Sequence, residues 1–163
     1  MCDNSEKKNW ARIKLEICNP KYFLNCSITT FEAKHQNGDG GRILINMTLT
    51  ALVPGTNNLS IGGTVEYKSK FRVNYHYKFC DFLKLPWVVA ILETQNVPHP
   101  LPCPYPAGTF SVHNVEMPPA KWPLLLKSTK YRIYLEVNET STKERAIAIT
   151  LQGEMFKPNK RND

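Results

Sequence analysis

The residues best suited to acid–base or metal chemistry are four histidines and a scatter of carboxylates, and their arrangement assembles no reactive site. His35, His76 and His99 fall in loops or on a wet strand face, and His113 sits on the polar side of its strand, so surface or structural roles are expected for all four. Asp81, Glu93, Glu116 and Glu136 form no pair at a spacing used for general acid–base work. Gly-x-Ser-x-Gly, a glycine-rich phosphate loop and His-Glu-x-x-His are all missing. The expectation is a protein that is not an enzyme, with no metal site and no cofactor.

The cysteines carry more information. Cys2, Cys18, Cys26, Cys80 and Cys103 include no Cys-x-x-Cys and no histidine at zinc-finger spacing. The expected pairing is Cys18 with Cys26 and Cys80 with Cys103, leaving Cys2 odd; the alternative is five reduced thiols in a cytosolic protein. Asn25, Asn46, Asn58 and Asn138 each open an Asn-x-Ser/Thr glycosylation sequon. With 14 Asn and 19 Ser or Thr, chance supplies between one and two such tripeptides, so four favour a secreted chain.

From Phe71 to Phe79 the chain reads Phe-Arg-Val-Asn-Tyr-His-Tyr-Lys-Phe. Alternate strand residues point to opposite faces. Phe71, Val73, Tyr75, Tyr77 and Phe79 therefore share a face built to be covered, and Arg72, Asn74, His76 and Lys78 share a wet one. Because aromatic and basic residues are on opposite faces, they cannot grip one nucleic-acid strand together, and no nucleic-acid partner is expected.

The same periodicity locates the elements that position this face. Strands are expected at Arg12 to Cys18, Tyr22 to Lys34, Arg42 to Val53, Leu59 to Lys68, Phe71 to Phe79, Gly108 to Val115, Lys130 to Val137 and Arg145 to Met155. Asn19-Pro20, Asn37 to Gly41 and Pro54-Gly55 supply turns. Gly62-Gly63 inside a strand predicts a bulge or bend. One short helix is expected near residues 86–95, within Asp81 to Asn96, with Pro86 at a first helical position. Val97 to Pro106 holds five of the twelve prolines and must be an extended loop. Eight strands and one helix predict an all-β antiparallel sandwich, with a closed barrel as competitor.

A chain of 163 residues is expected to be a single domain, its core spanning 12–155 between tails at 1–10 and 156–163. With 42% apolar and 21% charged residues it reads as a soluble globular protein, and no apolar run approaches the about 20 residues of a spanning helix. The net charge of +7 is spread along the chain and reads as a solvated surface. Met-Cys-Asp-Asn-Ser-Glu-Lys-Lys has no apolar core and is not a signal peptide, so Met1 is either a start joined to a mature chain or the true start of a cytosolic protein.

Apolar surface is in surplus. Two sheets need one inner face each, yet the chain adds a Trp-bearing helix and the apolar stretch Trp122 to Leu126. Either these plug the ends of a solid core, or they rim a cavity between sheets that stand apart.

Tyr-Lys-Phe-Cys80-Asp-Phe-Leu-Lys84, a short helix, Cys103-Pro-Tyr-Pro-Ala-Gly-Thr-Phe and Lys130-Tyr-Arg-Ile-Tyr-Leu-Glu-Val together resemble the ML lipid-recognition family. The likeness is to its ganglioside-activator-like members, and more closely to secreted insect proteins of that group, some linked to chemosensation. It implies a secreted, disulfide-linked, immunoglobulin-like sandwich that binds a lipid between its sheets for transfer or presentation. Cys80 and Cys103 match the family's central pair, and Cys18 with Cys26 resembles its short N-terminal loop. The chain departs from the pattern at Ala146 and Ala148, where many members carry a cysteine tied to the N-terminus.

On this reading the cavity is lined by Ile45, Met47, Leu49, Val65, Tyr67, Phe71, Val73, Tyr75, Phe110, Val112, Ile133, Leu135 and Ile149, with Trp87, Trp122, Leu124 and Leu126 at the rim. Each is equally a good core residue. The expected partner is a lipid or other hydrophobic small molecule (an acyl chain, glycolipid or sterol), with a membrane surface or receptor beside it. The rival is a solid-core secreted adaptor, chemosensory or receptor-binding, that docks through the Trp122 loop. A third reading is a lipid-extracting helper of a separate hydrolase.

Overall fold

The computed structural model describes residues 12–34, 41–67, 71–95, 97, 101–117 and 130–154. The strands are β1 (Arg12–Cys18), β2 (Phe23–Lys34), β3 (Gly41–Ala51), β4 (Leu59–Tyr67), β5 (Phe71–Lys78), β6 (Gly108–Met117), β7 (Lys130–Glu139) and β8 (Arg145–Glu154). Two helices, α1 (Phe79–Phe82) and α2 (Pro86–Thr94), lie between β5 and β6. The strands form a five-stranded sheet, β1-β8-β7-β4-β5, and a three-stranded sheet, β2-β3-β6. All the ladders are antiparallel and the sheets are separate, so the fold is an all-β sandwich and not a closed barrel.

Register explains how the alternating sequence becomes an inner face. One row across the large sheet runs Val73, Val65, Ile133, Leu151, Ile13, and the next runs Tyr75, Gly63, Leu135, Ile149, Leu15. On the small sheet Ile28, Met47 and Val112 stand in one row. Ladder shifts fall between Leu24 and Ser27 on β2 and opposite Asn46 on β6. Asn25 and Asn114 take up the left-handed backbone there, at φ 53° and 55°, a conformation the short Asn side chain tolerates. The Asn114 N–H donates to Asn46 Oδ1 at 2.9 Å, which fills the gap that the β6 bulge opens.

The core has two parts. One joins Tyr22, Phe23, Ala146, Ile147 and Ile149, with Leu15, Ile28, Leu49 and Ala51 against them. The other joins Ile45, Val112, Val115, Tyr131 and Leu151, with Met47, Ile91, Phe110 and Ile133 against them. Both disulfides form, Cys18–Cys26 between β1 and β2, and Cys80–Cys103 between α1 and the segment before β6.

Two expectations need correction. Gly62-Gly63 makes no bulge, because the ladders to β5 and β7 run through both glycines without a shift. Gly63 answers a close approach instead: a Cβ there would come within 3.2 Å of the Tyr134 carbonyl oxygen. Phe79 leaves the strand, and α1 is a second helix that the alternation hid. Its ring lies against Gly55, where a Cβ would meet Phe79 Cε1 at 2.5 Å. The turn expected at Asn37 to Gly41 lies outside the described residues except for Gly41, which opens β3.

Candidate functional site

At neighbour spacings of about 4.8 Å, a three-stranded sheet is about 10 Å across and a five-stranded one about 19 Å. The small sheet therefore cannot cover the whole inner face of the large one. Along one side the sheets are held edge to edge, because β1 packs on β2 and Cys18 is bonded to Cys26. This alignment sets β2-β3-β6 over β1-β8-β7 and leaves β4 and β5 as an overhang, consistent with which residues share the two core clusters.

The helices bridge that overhang. Phe82 of α1 meets the Tyr77 ring of β5 at 6.4 Å and the Trp87 ring of α2 edge-on at 5.5 Å. Val88 and Leu92 are the buried residues of α2, and Ile91 reaches the core. Past the helix, the Gln95 side chain is stitched to the β6 edge. The His113 N–H donates to its Oε1 at 2.9 Å, and its Nε2 donates to the His113 carbonyl at 3.0 Å. Cys80–Cys103 and paired hydrogen bonds between Gly55 and Tyr105, each 2.8 Å, tie the same region down.

Cover over the overhang is partial. Val65 on β4 is 2% exposed, while Val73, Tyr75 and Tyr77 on β5 are half-buried and Phe71 at the strand's start is 53% exposed. The seam side is tight by contrast: the gap bounded by Leu15, Cys26, Ile28, Met47, Leu49, Ile147 and Ile149 measures about 10 Å³, roughly room for one water.

The structure thus divides the expected lining residues. Ile45, Val112, Ile149, Met47, Leu49, Phe110 and Ile133 are sealed or packed core residues where the two sheets face each other. Phe71, Val73 and Tyr75 share the overhang with Trp87 nearby on α2, and Val65 and Leu135 lie behind them on β4 and β7. Tyr67 pairs with Phe71 and Tyr131 in the ladders, its side chain outside the described residues. Trp122, Leu124 and Leu126 lie outside the described residues altogether. Tyr77 belongs to the site by the same alternation that marked Phe71 to Tyr75. Phe82 was missed because a four-residue helix leaves no periodic signal.

The polar groups cluster elsewhere. At the end of the sandwich where β4 begins and β5 runs into α1, the Tyr22 hydroxyl donates to Glu139 Oε2 at 2.5 Å and Glu144 Oε2 at 2.8 Å, pinning the β7–β8 hairpin to the β1–β2 turn. On the outer face of β7, Glu136 accepts from Tyr134 and Asn138 and lies 3.2 Å from Arg145. Partial burial pushes its carboxyl up, and these three partners together bring it below the usual carboxylate value. Both networks are on loops or outward faces and not on the inner face of β5. Among the described residues no three His, Cys, Asp or Glu side chains gather as a metal site, and no helix is long and apolar enough to cross a membrane.

No curated protein sequence matches this one. Residues 59–133, which run from the start of β4 through β5, both helices and β6 into β7, match the family model described as "Protein of unknown function (DUF1091)". The matched stretch carries the overhang strands, the helices that bridge them and the Cys80–Cys103 staple.

Proposed function

We propose that the protein binds one apolar ligand on the overhang of its larger sheet, between β5 and the α1–α2 bridge, and carries or presents it without chemical change. The observation that supports this most directly is the inner face of β5. Its alternate residues have the composition of a core strand, yet they stop at half burial and Phe71 stays 53% exposed. Exposed apolar surface of this kind is costly at about 25 cal/mol per Å² unless something covers it. The resemblance of the Tyr77 to Lys84 and Cys103 to Phe110 segments to ganglioside-activator-like lipid-recognition proteins agrees with a lipid as the cover. Two disulfides and four sequons fit a secreted chain. The test is a titration with the apolar fluorophore N-phenyl-1-naphthylamine. Saturable uptake of one equivalent, weakened at least tenfold by Phe71→Gln with Tyr75→Gln, supports the carrier. A protein that takes up none contradicts it.

A second reading, an adaptor that docks another protein, is favoured by the water-sized gap on the seam side and by Leu24, Phe31 and Leu52, each more than two-fifths exposed. It predicts no fluorophore uptake and a binding defect from outer-face substitutions such as Phe31→Gln.

A further inference from the structure

Tyr131 is the one residue of the second core cluster that carries a polar atom it does not use. It is 4% exposed, its neighbours are Ile45, Val112, Val115 and Leu151, and among the described residues nothing pairs with its hydroxyl. A buried hydroxyl without a partner is destabilising, and a phenylalanine would fill the same space without that penalty. Its ladder neighbour on β8 is Gly153, which has no side chain to offer. On the other side the row continues through Tyr67 to Phe71, the most exposed apolar residue of the overhang. Two strand spacings, about 10 Å, separate Tyr131 from Phe71, a distance that a ligand lying across β4 and β5 spans.

We infer that the Tyr131 hydroxyl is the polar anchor for the bound ligand, and that the ligand is an uncharged lipid presenting a single hydroxyl or carbonyl oxygen. The inference rests on the carrier reading and narrows its ligand class. Among the described residues, the cluster around Tyr131 packs it with the apolar Ile45, Val112, Val115 and Leu151, with Met47, Ile91, Phe110 and Ile133 against them, so an ionised head group brought among these side chains would lose its hydration. A neutral oxygen needs only the one hydrogen bond that the phenol offers. Fatty alcohols, sterols and acyl esters fit this description, and free fatty-acid anions do not.

The test compares Tyr131→Phe with the unaltered chain, using 1-decanol, decane and decanoate at pH 8 as competitors of bound N-phenyl-1-naphthylamine. The expected result is that Tyr131→Phe weakens 1-decanol about tenfold, a typical hydrogen-bond effect, and leaves decane within twofold. Decanoate should compete at least tenfold less well than 1-decanol. The variant should also be at least as resistant to urea as the parent when empty, since it loses only an unpaired group. Equal effects on decane and 1-decanol, decanoate competing as well as the alcohol, or a less stable empty variant would each overturn the inference while the carrier reading stands. Failure of all three competitors and of the fluorophore to bind the parent chain overturns both.

Discussion

Val65 and Val73 stand directly opposite each other across the β4–β5 ladder, and only Val65 is sealed from water, at 2% exposed against a half-buried Val73. The line between these two valines marks where cover over the inner face thins. Val65→Ala should cost about 2 kcal/mol of stability by the loss of methyl burial and the cavity left behind, and Val73→Ala about half that. Urea unfolding measures both. If bound ligand covers Val73, excess decane should raise the cost of Val73→Ala toward that of Val65→Ala. Equal costs in the empty protein would mean that β5 is part of the sealed core.

The two disulfides close loops of different length, with sequence separations of 8 for Cys18–Cys26 and 23 for Cys80–Cys103. On chain-entropy grounds, replacing each pair by alanine should cost about 2.6 and about 3.4 kcal/mol respectively. Their effects on function should separate more sharply. Only the Cys80–Cys103 replacement loosens the helices that bridge the overhang, so it alone should weaken fluorophore binding, measured in conditions where both variants remain folded.

The hydrogen bonds from Tyr22 are the leading cause that holds the Glu139 and Glu144 carboxyls below the ordinary value of 4.5. A carboxyl that resists protonation in the folded state adds stability that is complete above that value and is lost as pH falls through its lowered one. The thermal midpoint of the unaltered protein should therefore drop faster below pH 4.5 than that of Tyr22→Phe, the two curves converging in acid. The Tyr22 phenol itself is raised, by Glu139 first, so its contribution holds below its ordinary value and fades only as pH rises far into the alkaline range. Parallel acid limbs for parent and variant would show that this network does not set the acid response.

The four sequons are not equivalent. Asn25 and Asn58 are exposed, whereas the half-buried Asn138 donates its Nδ2, the atom a glycan must occupy, to Glu136 Oε1 at 2.5 Å. Thr140 of that sequon is also engaged, with Ser60 at 2.7 Å. Expression through a eukaryotic secretory pathway followed by peptide mapping should find glycan on Asn25 and Asn58 and an unmodified Asn138. Folded protein carrying a glycan on Asn138 would contradict this.

Strand alternation made most of the fold legible. Val73, Tyr75 and Tyr77 face inward as their spacing dictates, and the eight strands begin and end within two residues of the expected limits. What alternation cannot express is which inner-face residues meet the opposite sheet. Ile133 and Val73 look alike in sequence, yet one packs against the core and the other sits on the overhang, because strand order puts β7 under the small sheet and β5 beyond it. Tyr131 was equally opaque: a tyrosine in a strand reads as an amphipathic core residue, and only the packed structure reveals that its hydroxyl has nothing to bond among the described residues. Glu136 looked isolated because its partners Tyr134 and Asn138 lie two residues to either side, a spacing that becomes contact only on a strand.

The central claim is that the half-covered aromatic face of β5 exists to hold a lipid. Native mass spectrometry of the chain, purified without detergent from a eukaryotic secretory host, tests it most directly. The account predicts a single added mass that organic extraction identifies as an uncharged lipid, lost when Phe71 and Tyr75 are both changed to Gln. A chain that emerges empty, and remains empty after incubation with fatty alcohols, sterols and acyl esters, would contradict it.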